Sequence, residues 1–209
     1  MTAQRCPSGR RPAERPSASW RPAALLAAVA LLWPLAASPA DADDPVPAAL
    51  QAALIVRILA YDHRTGQRPP GPVAVAILQA DGRRPAVAGA LEQLLRGGSF
   101  PGHDVQISLL GFGSPRQLGA ALASLKPVLI YVPRELEAEA GAISQATRSA
   151  QVLSIGETEG SVRGGLALGI VRRKARAGLI ANHAALHAEG ADLDAALLRL
   201  CEPVQEGAR

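Results

Sequence analysis

Hydrophobic residues along this chain fall into short unbroken runs, separated by stretches in which they recur every three or four positions. The runs are Val73–Leu78 (VAVAIL), Val105–Leu110 (VQISLL), Val128–Val132 (VLIYV) and Val152–Ile155 (VLSI). Runs this short, rich in valine and isoleucine and punctuated by Pro, Gly or Asp-Gly, predict strands rather than helices. Between them Pro85–Arg96, Pro115–Leu125 and Arg134–Arg148 carry helical spacing. A further helix is predicted over Val46–Asp62, with Leu50, Leu54, Ile58 and Tyr61 on one apolar stripe. His63–Pro72 (HRTGQRPPGP) breaks the chain before the first strand.

Strands that are apolar throughout, instead of at alternate positions, belong to a parallel sheet covered on both faces. Their alternation with helices predicts a three-layer α/β fold, a mostly parallel sheet with helices on both faces. After Ile155 the rhythm changes. Leu166–Val171 (LALGIV) and Arg176–Ala181 (RAGLIA) flank a basic turn with no room for a helix, and so predict a β-hairpin. The C-terminal part is expected to be helical. Asn182, the only asparagine of the chain, stands where a strand gives way to a helix, and its side chain can accept an N–H of the first turn. Gly190 supplies the residue a helix terminus prefers. Asp192 is placed to cap a closing helix whose apolar face comprises Leu193, Leu197, Leu198 and Cys201. No internal repeat is present, and the reading is one domain over residues 46–203 with a disordered tail at 204–209.

The first 40 residues have a different character. Arg5, Arg10, Arg11, Arg15 and Arg21 precede the apolar run Ala23–Ala37, and Ser38-Pro39-Ala40 offers the small residues of a cleavage site. The run is shorter than the roughly 20 residues that span a bilayer, and Pro34 interrupts it. This predicts an export signal cleaved after Ala40, an uncleaved N-terminal anchor being the alternative. Residues 41–45 (DADDP) are a flexible acidic lead-in.

Removing that leader changes the charge argument. The chain has 22 Lys+Arg and 18 Asp+Glu, of which the leader takes five arginines and one acid, Glu14, leaving 17 of each sign. No basic stripe remains to neutralise phosphates, and with two tyrosines and two phenylalanines in the whole chain there is little to stack on bases. Nucleic-acid binding is excluded on these grounds. Cys6 leaves with the leader, so Cys201 has no intramolecular partner and is read as core packing, with an intermolecular bridge in a homodimer as the alternative.

Candidate chemistry is sparse. Gly111-Phe112-Gly113 sits between a strand and a helix, where a dinucleotide fingerprint would lie, but Arg116 stands in place of the third glycine. A tight strand-to-helix turn explains those glycines. His183 and His187 have the i, i+4 spacing of two metal ligands and lack a defined third, so no metal is assigned. The chain contains no G-x-S-x-G, no Walker loop, no H-E-x-x-H and no Cys-x-x-Cys, and neither catalysis nor a cofactor is expected. In an open parallel sheet, a pocket lies beyond the carboxyl ends of the strands. The residues predicted there are Gln79, Asp81, Gly111, Tyr131, Arg134 and Glu157, with Arg163 nearby. An arginine among them could pair with a ligand carboxylate or phosphate.

The segment LIANHAALHAEGADLDAALLRL resembles the C-terminal signature of the YfiR-like periplasmic domain family. That signature is a strand into Asn182, a small-residue helix, Gly190, and a helix with Asp192 at its start and the paired Leu197 and Leu198. Upstream, AALIVRILAYD, PVAVAIL, KPVLIYVPREL and AQVLSIGETEGSVRGGLALGIV follow in the family's order, so the resemblance covers residues 48–202. It implies a non-enzymatic periplasmic protein that binds the periplasmic domain of a membrane sensor, represses a diguanylate cyclase and lowers cyclic-di-GMP. Leu54, Ile58 and Tyr61 on the first helix are the candidate partner surface. Better-known members carry disulfide-forming cysteines that are missing here, so redox control does not transfer. A periplasmic small-metabolite binding protein is the alternative reading.

Overall fold

A computed structural model describes residues 45–69, 71–96, 103–173 and 176–204. The leader, residues 41–44 of the acidic lead-in and residues 205–209 lie outside the described residues, as do Lys174 and Ala175 of the basic turn. Among the described residues seven strands form one sheet: β1 (Gly71–Gln79), β2 (His103–Gly111), β3 (Leu129–Val132), β4 (Leu153–Gly156), β5 (Leu168–Arg173), β6 (Arg176–Ala181) and β7 (Cys201–Pro203). Their spatial order is β2-β1-β3-β4-β5-β6-β7. All neighbours pair in parallel except β5 and β6, which form an antiparallel hairpin.

The runs in β1, β3 and β4 become buried strands because both faces of the sheet are covered there, whereas the run in β2, expected to be buried, lies at the sheet edge and has no buried residue. One face carries α1 (Ala48–Tyr61), α3 (Ala86–Leu95), α7 (His183–Ala188) and α8 (Ala195–Leu198). Ile55, Ile58 and Leu59 of α1 and Leu91 of α3 pack there on Val73, Val75, Ile77, Leu129 and Tyr131. The other face carries α4 (Pro115–Leu125) and α5 (Ala140–Ala150), where Leu118, Leu122 and Ile143 meet Ala76, Leu78, Ile130 and Val132. A short turn, α2 (His63–Gly66), follows α1, and α6 (Glu159–Arg163) links β4 to β5. At the hairpin, Gly169 allows close packing: a Cβ there would lie 2.7 Å from both Val162 and Ile180.

Several local readings are corrected. Leu50, Leu54 and Tyr61 lie about 120° round the helix from the face that packs. Leu50 is 42% exposed, Leu54 and Tyr61 are half-buried, and the buried face is Gln51, Ala52, Ile55, Ile58 and Leu59. Residues 134–139 form a 3-10 helix ahead of α5, so the helix read over Arg134–Arg148 is two elements.

The closing helix is a single turn, α8, and Cys201 opens strand β7 beside β6 instead of ending a helix face. Its cap is Asp194, whose carboxylate accepts from Ala196 N–H at 2.6 Å. Asp192 does not cap α8, because residues 192–194 run extended along the end of α1. Asp192 C=O accepts from His63 N–H at 2.9 Å, and Asp194 N–H donates to Tyr61 C=O at 2.9 Å. Val204, assigned from sequence to a disordered tail, continues the pairing with its N–H 2.7 Å from Ala181 C=O.

Candidate binding site at the carboxyl end of the sheet

The chain leaves β1 toward one edge of the sheet, through α3 to β2, then crosses by α4 to β3 on the other side of β1. Such a reversal opens a crevice at the carboxyl ends of the two diverging strands. A cavity of about 470 Å³ occupies that crevice. Its walls are the loop after β1 (Ala80–Pro85), the ends of β3 and β4, and the entry to α1 from Pro45 to Gln51.

The loop after β1 turns tightly. Asp81 (φ 50°) and Gly82 (φ 68°) are both left-handed, and Arg83 N–H closes the turn on Ala80 C=O at 2.9 Å. This brings Arg83 and Arg84 to the cavity wall, with Arg84 paired to Glu92. The floor is a relay of polar groups, buried at Tyr131 and Gln51 and partly exposed at Glu157 and Arg134. Tyr131 Oη donates to Gln51 Oε1 at 2.8 Å, and Gln51 Nε2 donates to Glu157 Oε1 at 3.1 Å. Arg134 N–H donates to Glu157 Oε2 at 3.1 Å, and the Arg134 Nε lies 3.8 Å from Glu157 Oε1. Burial, reinforced by the Glu157 carboxylate, pushes the Tyr131 phenol far above its usual range, so this hydroxyl stays protonated and acts as a neutral donor.

A second cavity of about 540 Å³ shares Val46, Arg134, Glu135 and Glu157 with the first and extends to Glu159, Arg172 and Arg173 at the hairpin. Its far wall is an ion network: Glu159 accepts from Arg163 and Arg173, each at 2.6 Å, and Arg173 donates to Glu202 at 3.1 Å. Those hydrogen bonds, from Arg173 first and then Arg163, hold the Glu159 carboxyl below its usual range.

Of the residues expected at the strand ends, Asp81, Tyr131, Arg134 and Glu157 line the first cavity, and Gln79, Gly111 and Arg163 line neither. Gln79 ends β1, Gly111 ends the edge strand β2, and the Arg163 guanidinium is held by Glu159. Gln51, Arg83 and Arg84 were not anticipated. The signal for Gln51 was present: it is the one amide side chain in a helix whose only charged residue is Arg57, and a buried amide asks for a partner.

The C-terminal residues have structural roles. Asn182 Oδ1 accepts from Ala185 N–H at 3.0 Å, Gly190 takes φ 64° after α7, Leu197 is buried and Leu198 is partly buried against the core. His183 and His187 are exposed on α7, and among the described residues no three His, Cys, Asp or Glu side chains are placed to hold a metal ion. The neighbour of Asp192 and Asp194 is instead His63, at 3.4 and 3.6 Å. Glu189, which follows α7, is fully buried. Its carboxylate accepts from Thr147 Oγ1 (2.6 Å), Ser154 Oγ (2.7 Å) and Ser154 N–H (2.8 Å).

The fold and the crevice define a doubly wound α/β domain with a polar cleft at its switch point. The YfiR/HmsC-like family model matches residues 48–202, from α1 into β7, and the chain belongs to that family. No curated protein matches the chain. Among solved structures, a conserved domain protein of Vibrio cholerae O1 biovar El Tor superposes with a TM-score of 0.52 at 14% identity, over 75% of this chain and 60% of that one. The open, ligand-free form of a substrate-binding protein with adhesive properties from Clostridium difficile gives 0.49 at 14% identity, over 65% of this chain and 55% of that one. This chain therefore spans 60% or less of either protein, and at 14% identity the likeness to the Vibrio protein is one of fold.

Proposed function

We propose that this is a periplasmic regulatory protein, exported by its N-terminal leader, that binds the periplasmic domain of a membrane-bound sensor and represses a diguanylate cyclase. The observation that carries this reading is the family match, which runs through nearly every described element. No helix among the described residues is long and apolar enough to cross a membrane, and the control is exerted by binding. A regulator that prefers one of two states of its partner shifts their populations by its difference in affinity. The outward stripe of α1, with Leu54 and Tyr61 of the candidate surface joined by Leu50, is the face offered to the partner; Ile58 supports it from the core.

The test is capture of the tagged full chain from detergent-solubilised membranes of its native cell, together with cyclic-di-GMP measurement in a deletion strain. Enrichment of one inner-membrane cyclase, and a rise in cyclic-di-GMP reversed by the wild-type gene, are the expected results. Unchanged cyclic-di-GMP with no membrane partner above an untagged control would refute the proposal.

A second reading, a receptor for a small metabolite, is favoured by one observation: the switch-point cavity gathers Asp81, Tyr131, Arg134 and Glu157. Ligand-induced melting shifts lost in Arg134→Ala and Glu157→Gln, with partner capture intact, would support it. No shift across a metabolite panel would remove it.

A further inference from the structure

We infer that a third cavity, at the amino ends of β3 and β4, is an oxyanion site that takes the phosphate group of a small monoester between Arg64, Arg68 and Lys126. This cavity has a volume of about 420 Å³ and lies where α4 gives way to β3 and α5 to β4, at the opposite end of the sheet from the switch-point crevice. Three cations reach it from separate segments: Arg64 from α2, Arg68 from the stretch before β1, and Lys126 from the junction of α4 and β3. No Asp or Glu lines it, and among the described residues none of the three cations has an ion-pair partner. The acid nearest to Arg64 in the chain, Asp62, is occupied within α2, where it accepts from Arg64 N–H at 3.1 Å and Thr65 Oγ1 at 3.3 Å.

Part of this charge serves the fold. Arg64 donates from Nη1 to the carbonyls of Glu189 (3.0 Å) and Gly190 (2.6 Å) and from Nη2 to that of Gln151 (2.8 Å). Arg68 Nη1 lies 3.4 Å from Lys126 C=O. These carbonyls close α7, α5 and α4, and a helix end carries about half an elementary negative charge. Even three such ends offset only half of three full cations. Positive charge without a counterion remains.

Lys126 is the residue the fold does not need. Its backbone is left-handed (φ 48°) at the end of α4, a conformation that glycine adopts without strain and lysine does not. Among the described residues its ammonium makes no hydrogen bond or ion pair. Gln151 ends α5 in the same way (φ 54°), but its side chain is used in the fold, donating to Ala188 C=O at 2.6 Å and Arg148 C=O at 3.0 Å. A strained position that carries a long cation in place of glycine, with no bond to show for it, points to a ligand. Guanidinium and ammonium groups that converge without an acid select an oxyanion. Pro127, Ala150 and Val152 complete the walls with apolar surface. That chemistry suits a phosphate monoester with a small apolar body, and a phospholipid headgroup presents the same phosphate.

Calorimetric titration of the full chain with phenyl phosphate tests this, with co-sedimentation on phosphatidylglycerol vesicles as a second arm. Phenyl phosphate should bind with a dissociation constant of about 100 μM. Lys126→Gly should weaken binding roughly 10-fold or more, yet melt at or above the parent temperature because the left-handed strain is relieved. Arg68→Gln should weaken binding likewise, and Arg83→Gln, at the switch-point crevice, should leave it unchanged. Vesicle binding abolished by Lys126→Gly and Arg68→Gln, without binding of phenyl phosphate, would support the same site with a lipid headgroup as its source. No binding of either probe at about 5 mM, binding that survives both variants, or a Lys126→Gly protein that melts well below the parent would overturn the inference.

Discussion

Tyr131 and Gln51, 80 residues apart in the chain, meet at 2.8 Å, the phenolic hydroxyl donating to the amide oxygen. The contact ties the end of β3 to the first turns of α1 and, through Gln51 Nε2, to Glu157 beyond β4. Three segments that shape the switch-point cavity are therefore held by one uncharged side chain with donors and acceptors on the same head group.

Tyr131→Phe leaves Gln51 Oε1 without its donor in a buried position and should cost about 1–2 kcal/mol in urea denaturation. Gln51→Leu strands the Tyr131 hydroxyl and should cost about as much. The double variant replaces the pair with apolar groups and should cost clearly less than the sum of the two, a coupling of about 1 kcal/mol. Additive losses would mean that the two groups do not act together.

Glu189 should make stability depend on pH in an unusual direction. Burial pushes its carboxyl from the ordinary 4.5 up to about 7, against the opposing hydrogen bonds of Thr147 and Ser154. Between those values the folded chain keeps a proton that the unfolded chain has lost. This group's contribution is complete below about pH 4.5, falls as pH rises toward 7 and is flat above, a loss on the order of 3 kcal/mol. Glu189→Gln keeps the shape and removes the titration. The stability difference between wild type and variant, measured at pH 5 and pH 8, should shift by that amount in favour of the variant at pH 8. A constant difference would refute the assignment.

The two sides of α1 should respond differently to truncation. Ile58 is fully buried, and Ile58→Ala should cost about 2–5 kcal/mol by leaving a cavity. Leu50, at 42% exposed, should tolerate alanine to within about 0.5 kcal/mol. Leu50→Ala should instead weaken capture of the membrane partner if the outward stripe is the contact surface, and quantitative pull-down measures this directly.

Asn182 is both cap and anchor: its Oδ1 takes the Ala185 N–H at 3.0 Å while Nδ2 reaches Val162 C=O at 3.4 Å. Asn182→Ala should cost about 1–3 kcal/mol, because α7 loses its cap and two buried polar groups lose their partners. Asn182→Asp keeps the cap acceptor but turns a donor into a second acceptor facing a carbonyl, so it should recover only part of the loss. Recovery to wild-type stability would show that the Val162 contact carries no weight.

The sequence by itself determined the layered architecture. Valine- and isoleucine-rich runs too short and too uniformly apolar for anything but buried strands, alternating with helical spacing, leave little choice but a parallel sheet between helices. Local chemistry was equally legible where it depends on neighbours in the chain. The span Pro115–Leu125 is helical as its pattern indicates, and the interval between β5 and β6 is too short for anything but a hairpin.

What only the tertiary structure decided are the choices that a segment makes among distant partners. The stripe Leu50, Leu54 and Tyr61 looks in sequence like the core face, but the structure turns Ala52, Ile55, Ile58 and Leu59 fully inward, where Gln51 finds Tyr131 and Glu157, and leaves Leu54 and Tyr61 only partly buried. Cys201 to Pro203 is too short to declare itself a strand, and it is one because β6 needed an outer neighbour. Nothing in the sequence around Glu189, at the end of a short helix, reveals that α5 and β4 close over it with three donors. Periodicity records which residues avoid water. Which buried polar group meets which, and so where a cavity with chemistry in it lies, depends on strand order, and strand order is a property of the packed sheet.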